Sequence, residues 1–261
     1  MAALFLCTSA LSYTPSVHYA ARSRSPAMVA SAPTPTRTPA SQPGGAILDE
    51  DDEAALLAKS TFPIAPGELI AKCKSVIIAQ SGIQDGSMDE SVYAEDFRFV
   101  APFVGGPTQA TSDDPMPGLG KDQYLAALRS FDLLTAFPNM NNNYHRFYVD
   151  PFEPNRVWFQ TRCFATHTGE LLGKPATGKD LVLPPQAFSM VFNEEGQVKV
   201  FNVGYVIDRT VGNTGGLGGA FGFFWATGNA LPFPECEPFK GSLALRGLGL
   251  LQKLQKLLPG S

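Results

Sequence analysis

Long apolar stretches are missing from this chain. None reaches the ~18 residues expected of a helix that spans a bilayer. An excess of basic charge is missing too: Lys and Arg number 20 against 24 Asp and Glu, for a net charge of −4. Neutralising a phosphate backbone takes a clustered surplus of cations, so nucleic acid is not an expected partner. Cysteine is scarce, and Cys7, Cys73, Cys163 and Cys236 stand far apart without C-x-x-C spacing. That argues against a disulfide framework or a zinc site. Cys73 and Cys163 are expected as small buried apolar residues. Beyond the N-terminal segment the histidines are His145 and His167. Two histidines without a clustered carboxylate are a poor metal site, and no metal or cofactor is expected.

Acidic residues are absent from the first 48 positions, and the first is Asp49. This stretch is rich in Ser, Ala, Thr and Pro and carries Arg22, Arg24 and Arg37. Organelle transit peptides have that composition. A short apolar run, Ala2 to Leu11, precedes it; it suits a signal-peptide core and is too short to span a membrane. The combination resembles the bipartite presequence of algae whose plastids have extra membranes. Residues 1–48 are therefore expected to be a targeting presequence, and the mature protein to be plastid (chloroplast) resident, soluble or peripherally membrane-associated. Residues 49–65 read as an acidic linker.

Pro66 to Gln80 has helical spacing of Leu69, Ile70, Cys73, Val76 and Ile77, with Pro66 suited to the first turn. Asp89 is the expected cap of a short helix reaching Tyr93. Phe97, Phe99 and Ala101 alternate as a strand stopped by Pro102. The Gly- and Pro-rich segment 104–120 reads as a loop. Lys121 to Leu134 is a second helix with Tyr124, Leu125, Leu128, Phe131 and Leu134 on its apolar face. Strands are expected over Tyr144–Asp150, Arg156–His167, Phe188–Phe192 and Gln197–Asp208. The last two pair across Asn193–Gly196, where Gly supplies the left-handed position. Helices followed by long antiparallel strands imply an α+β layer fold.

Residues 219–242 form a Gly/Phe/Pro-rich extension. The glycines from Gly212 to Gly219 lack the strand–turn–helix frame of a dinucleotide site. They read as a loop packed on the sheet, with Phe221, Phe223, Phe224 and Trp225 as anchors. Residues 243–261 carry a basic amphipathic helix. Its leucines, with Lys253 and Lys256, fit a membrane surface through residues 243–258, a partner, or its own domain.

His167-Thr168-Gly169-Glu170 through Gly178-Lys179 resembles the hairpin that links two long strands in SnoaL-like polyketide cyclases, with Lys174 and Ala176 departing from the pattern. Tyr93-Ala94-Glu95-Asp96-Phe97 resembles the start of the first strand in the same nuclear-transport-factor-2-like superfamily. Gly120-Lys121-Asp122 resembles the start of its third helix. The resemblance covers about residues 66–218. It implies an α+β half-barrel or cone: a curved, mixed antiparallel sheet closed by three N-terminal helices, with a pocket between. It also implies a homodimer as an option, since sheets of this superfamily often pair.

Several residues are candidates on this reading. Asp208 falls near the acid that the cyclases use for proton transfer; its structural alternative is a strand-end carboxylate beside Arg209. Gln186 roughly matches the oxyanion-stabilising acid of ketosteroid isomerase, and a Gln amide also donates hydrogen bonds. The base of that enzyme is matched here by Ala101, so its mechanism is not expected. His145 and His167 resemble the histidine pair of scytalone dehydratase, if they converge. Trp158, Asn202, Tyr205 and Phe99 complete the candidate pocket, with Gly204 as a possible bulge that sets which way Tyr205 faces. The expected function is non-catalytic binding of a small apolar ligand, such as a pigment or terpenoid. The alternative is a cyclase, isomerase or dehydratase using Asp208 on a carbonyl substrate.

Overall fold

The computed structural model describes residues 47–105, 118–130, 133–244 and 247–248. Residues 1–46 of the presequence, most of the 104–120 loop, Phe131 and most of the 243–258 helix lie outside the described residues.

The acidic stretch expected as a linker is a helix, α1 (Glu50–Leu57). Asp49 and Asp52 bond reciprocally to each other's backbone N–H, and four acids sit in the first turn, where the helix dipole favours them. Helix α2 (Pro66–Ala79) starts on Pro66 and buries Leu69, Cys73 and Val76. A 3₁₀ turn at Glu90–Val92 is capped by Asp89, whose carboxylate accepts the Ser91 N–H at 3.0 Å. It leads directly into β1 (Tyr93–Val100). Where the sequence predicts the second long helix, the described residues are helical over α3 (Lys121–Ser130) and α4 (Leu133–Ala136).

Five strands form the main sheet in the order β1-β7-β6-β3-β2. They are β2 (His145–Val149), β3 (Arg156–Thr161), β6 (Gln186–Phe192), β7 (Val198–Val206) and β1. β1 runs parallel to β7, and the other neighbours are antiparallel. The β6–β7 hairpin turns at Asn193–Gly196, with Gly196 at φ 81°. β7 shifts register twice against β6, between Val198 and Val200 and between Asn202 and Tyr205. Each shift inserts one extra residue, and Gly204 (φ 79°) lies in the second. Such bulges bend and twist a strand, as a curved sheet requires.

The strand expected from Arg156 to His167 is two strands in two sheets. β3 stops at Thr161, and β4 (Phe164–Thr166) pairs with β5 (Asp180–Val182). The partner dictates the break. β6 is preceded by Pro184 and Pro185, which have no N–H to continue a ladder. Arg162 and Phe164 donate their N–H groups to Asn142 and Asn141 instead.

Two cores result. The larger joins α2 and α3 to one face of the sheet through Leu69, Cys73, Tyr124, Leu125, Phe97, Val157, Phe159, Met190 and Phe192. The smaller lies between the β4–β5 hairpin and α5 (Gly219–Ala226) and contains Phe137, Cys163, Leu181, Phe223 and Phe224. The extension is thus a helix rather than a loop, with Phe223 and Phe224 as buried anchors and Phe221 and Trp225 half-buried. Lys179 Nζ and Lys174 Nζ donate to Ala226 O and Gly228 O, both at 2.8 Å, at the C-terminal end of α5. Cations there satisfy orphan carbonyls and complement the dipole. The hairpin singled out in the sequence therefore fastens α5. Among the described residues no helix is long and apolar enough to cross a membrane.

Candidate ligand site

Each strand of the main sheet contributes a phenylalanine to a row on the helix-covered face. In sheet order these are Phe147, Phe159, Phe188, Phe201 and Phe99. Their centroids are 5.2, 5.4, 6.4 and 6.1 Å apart along the row. Cross-strand pairing puts Phe159 opposite Phe188 and Phe201 beside Phe99. Tyr124 from α3 stacks on Phe99 at 4.8 Å and extends the row onto the helical layer. Phe159 and Phe201 are buried, whereas Phe99, Phe147 and Phe188 remain partly exposed, as does Val203. The helical layer therefore does not fully cover these three phenylalanines. Offset and edge-to-face contacts at these spacings are the favoured aromatic geometries.

Polar groups enter this surface at two places. Behind Phe99, Gln80 Nε2 donates to Tyr93 Oη at 2.9 Å and to Tyr124 Oη at 3.2 Å. Burial pushes both phenols above their ordinary pKa, so both stay protonated. Beyond Phe159 and Phe188, Thr161 and Gln186 are direct cross-strand partners, each 2% exposed. Gln186 Oε1 accepts the Gly219 N–H at 2.8 Å, where α5 begins.

The residues singled out from the sequence separate into three groups. Phe99 and Gln186 lie on the helix-covered face. Trp158, Asn202 and Tyr205 lie on the opposite face, where they pair with Ser189, Ser189 and Ala187. The bulge at Gly204 does turn Tyr205 to the side of Asn202, and that side is the outer one. Trp158 Nε1 donates to Asp150 Oδ2 at 2.8 Å, and Arg156 stacks over its ring. Asn202 Nδ2 reaches Ser189 Oγ at 3.4 Å, which also accepts from Arg156 Nη1 at 2.7 Å. Arg156 forms a two-point ion pair with Glu153. These groups build an outer polar network and do not lie on the helix-covered face.

Asp208, His145 and His167 form the third group, and they do not converge. Asp208 is exposed and closes a turn, accepting the Thr210 N–H at 2.8 Å and its hydroxyl at 2.6 Å. The Thr210 bonds hold its carboxyl below the usual range, the reverse of what a proton-holding acid needs. His145 is exposed on β2, its Nδ1 bonding to Asn143 O at 2.7 Å. His167 follows β4 and is fully buried in the smaller core, its ring 5.1 Å from Phe137. The Thr177 N–H donates to His167 Nδ1, so the proton of the neutral ring sits on Nε2, which has no partner. Burial lowers its pKa. Burial likewise pushes the thiols of Cys73 and Cys163 up to about 12, leaving them inert packing groups.

Phe147, Phe159, Phe188, Phe201, Tyr124 and Thr161 are not among the site residues that the sequence suggests. The signal was the run Phe188-Met190-Phe192, which marks its own face as the apolar one; pairing then assigns Phe159, not Trp158, to that face.

No family model matches this chain, and no curated protein does. Among solved structures, it is similar to AclR, a candidate hydroxylase from Streptomyces galilaeus (15% identity, 72% of this chain and 96% of that one, TM-score 0.39). It is similar to a candidate SnoaL-like polyketide cyclase from a Jannaschia species (18% identity, 56% and 88% coverage, TM-score 0.39). It is also similar to a nuclear-transport-factor-2-like protein of unknown function from Burkholderia pseudomallei (15% identity, 51% and 89% coverage, TM-score 0.33).

Proposed function

We propose that this chain is a plastid pocket protein that binds a small, predominantly apolar molecule, of the pigment or terpenoid type, without catalysing a reaction. The observation that carries the reading is the row of five phenylalanines, three of them only partly buried beneath a helical layer. An apolar, aromatic surface with few polar groups is what a small-molecule site of this kind requires. Among the described residues no Asp or Glu is buried, and the buried histidine belongs to the other core. Acid/base chemistry through Asp208 has no geometric support, because that carboxylate is solvated and committed to a turn.

Full-length protein incubated with plastid extract and re-purified should retain an apolar molecule, detected by absorbance and by mass spectrometry of an organic extract. Repeated recovery of ligand-free protein removes the reading. The plastid assignment rests on residues 1–48, and fusing them to a fluorescent protein tests it separately. Exclusion of the fusion from plastids would leave a binder of unassigned location.

A further inference from the structure

The C-terminal part of the chain leaves the fold at a fixed point. The 3₁₀ turn Pro234–Cys236 packs against α5 and buries Cys236 completely. Pro238 then approaches Gly215 so closely that a Cβ there would meet its Cγ at 2.6 Å, beside the Trp225 ring. From the next residue onward the apolar side chains turn outward. Phe239 is 71% exposed, Leu243 82% and Leu248 52%, and none of them packs in either core. The exposed Arg209 lies over the Phe239 ring, 5.1 Å from its centroid.

A single exposed leucine or ring is ordinary. Here the exposure opens a segment whose sequence prepares one face for burial. Residues 243, 244, 247 and 248 are helical, and all four are exposed. Counted at helical spacing, Leu250, Leu251, Leu254 and Leu258 fall on the side of Leu243. The sequence allows this segment to pack on its own domain, and its described part does not.

Charge selects the occupant of that face. After Glu237 the sequence has no Asp or Glu, while Lys240, Arg246, Lys253 and Lys256 are spread through it. Lys240 is paired with Glu237 at 2.7 Å, and the other three have no acid in their own stretch. A second copy of the segment would bring like charges together, which disfavours self-pairing. The leucines are interrupted by cations and are too few to span a bilayer. Leucines on one side with cations around them suit a helix lying in the headgroup plane. An arginine over an exposed aromatic ring suits the same boundary, apolar on one side and wet on the other.

We infer that the surface beginning at Phe239 and Leu243, with Arg209 beside it and the Leu- and Lys-bearing sequence after it, docks onto a lipid bilayer with anionic headgroups. The attachment at Cys236 and Pro238 ties the sheet domain to that surface. This inference is independent of the pocket reading.

Vesicle flotation of the full-length protein tests it, with pure phosphatidylcholine compared against phosphatidylcholine containing about 30% phosphatidylglycerol. Wild type should bind the anionic vesicles about tenfold more tightly or better, because each cation near such a surface adds several-fold. The advantage should fade at high salt. The double variant Phe239→Ser/Leu243→Ser should weaken binding about tenfold without lowering the melting temperature, since both side chains are exposed in the fold. Lys253→Glu/Lys256→Glu should bring anionic vesicles down to the level of neutral ones. Amide hydrogen exchange with and without vesicles locates the contact, and protection should appear at residues 239–258. Residues 1–48 carry arginines as well. Protection confined to them, or vesicle binding that both variants leave unchanged, overturns the inference. Absence of flotation overturns it too, whether or not light scattering then reveals a protein complex that the first variant dissolves.

Discussion

Phe188 lies directly opposite Phe159 across the β3–β6 ladder, and their rings stack at 5.4 Å with an interplanar angle of 19°. Phe188 is the middle ring of the row and is only partly buried. Phe188→Ala should cost about 2–4 kcal/mol in urea unfolding, the range for an aromatic truncated in a partly relaxable site. Phe188→Leu should cost about 1 kcal/mol, as apolar swaps of similar volume do. Both should weaken retention of an apolar ligand. Unchanged retention in Phe188→Leu with normal stability would place the ligand elsewhere.

Gly218→Ala should disturb the contact between Gln186 and the start of α5. The new methyl meets the amide oxygen and the Val206 side chain. A loss of about 1–3 kcal/mol is expected, typical of overpacking. Amide hydrogen exchange should rise at the first turn of α5 more than in β6, which distinguishes local undocking from general loosening.

Lys179→Met and Lys174→Met should each remove a cation from the C-terminal carbonyls of α5 while keeping most of the side-chain bulk. About 0.5–1 kcal/mol each is expected, with faster exchange at Thr227 and Asn229. Lys179 should matter more, since its bond to Ala226 O is the partly buried one.

His167 predicts a pH dependence. Its folded pKa lies below the ordinary value of 6.5 because burial disfavours the charged ring. The neutral ring therefore stabilises the fold fully above about pH 6.5, and stability falls as pH drops from there toward the lowered folded pKa. Protonation would also set an Nδ1–H against the Thr177 N–H that Nδ1 now accepts. Urea midpoints measured between pH 7.5 and 5 should decline in wild type. In His167→Asn, whose side-chain oxygen can accept the same N–H, the slope across this window should flatten. An equal slope in both proteins would assign the effect to other groups.

Asp208→Asn should leave ligand retention unchanged, because the side chain serves the turn at Thr210 and is solvated. A loss of binding in this variant would bring the C-terminal end of β7 into the site.

Local chemistry made much of this fold legible. The start of α2 at Pro66, the Asp89 cap and the Gly196 turn each follow from a residue's own backbone preference. What the sequence hid depends on distant partners. The break after Thr161 is imposed by Pro184 and Pro185, more than twenty positions away. Helix α5 forms despite Gly219 and Gly222 because Phe223 and Phe224 are buried against the β4–β5 hairpin, a tertiary gain that outweighs weak propensity. The candidate pocket was assigned to the face of Trp158. Alternation within β3 separates two faces but does not say which one the helices cover. Two register shifts in β7 then placed both Asn202 and Tyr205 outside. Of the eight residues singled out, Phe99 and Gln186 are on the face that carries the aromatic row.

A row that takes a ring from every strand is also a gauge of pairing. Side chains alternate with a period of two, so sliding any one strand by a single residue would carry its phenylalanine through to the outer surface. The aromatic surface would then be severed at that point. Continuity of this surface thus requires all four ladders to be correctly aligned at once, and a ligand that spans neighbouring rings would favour the aligned sheet over every slipped one.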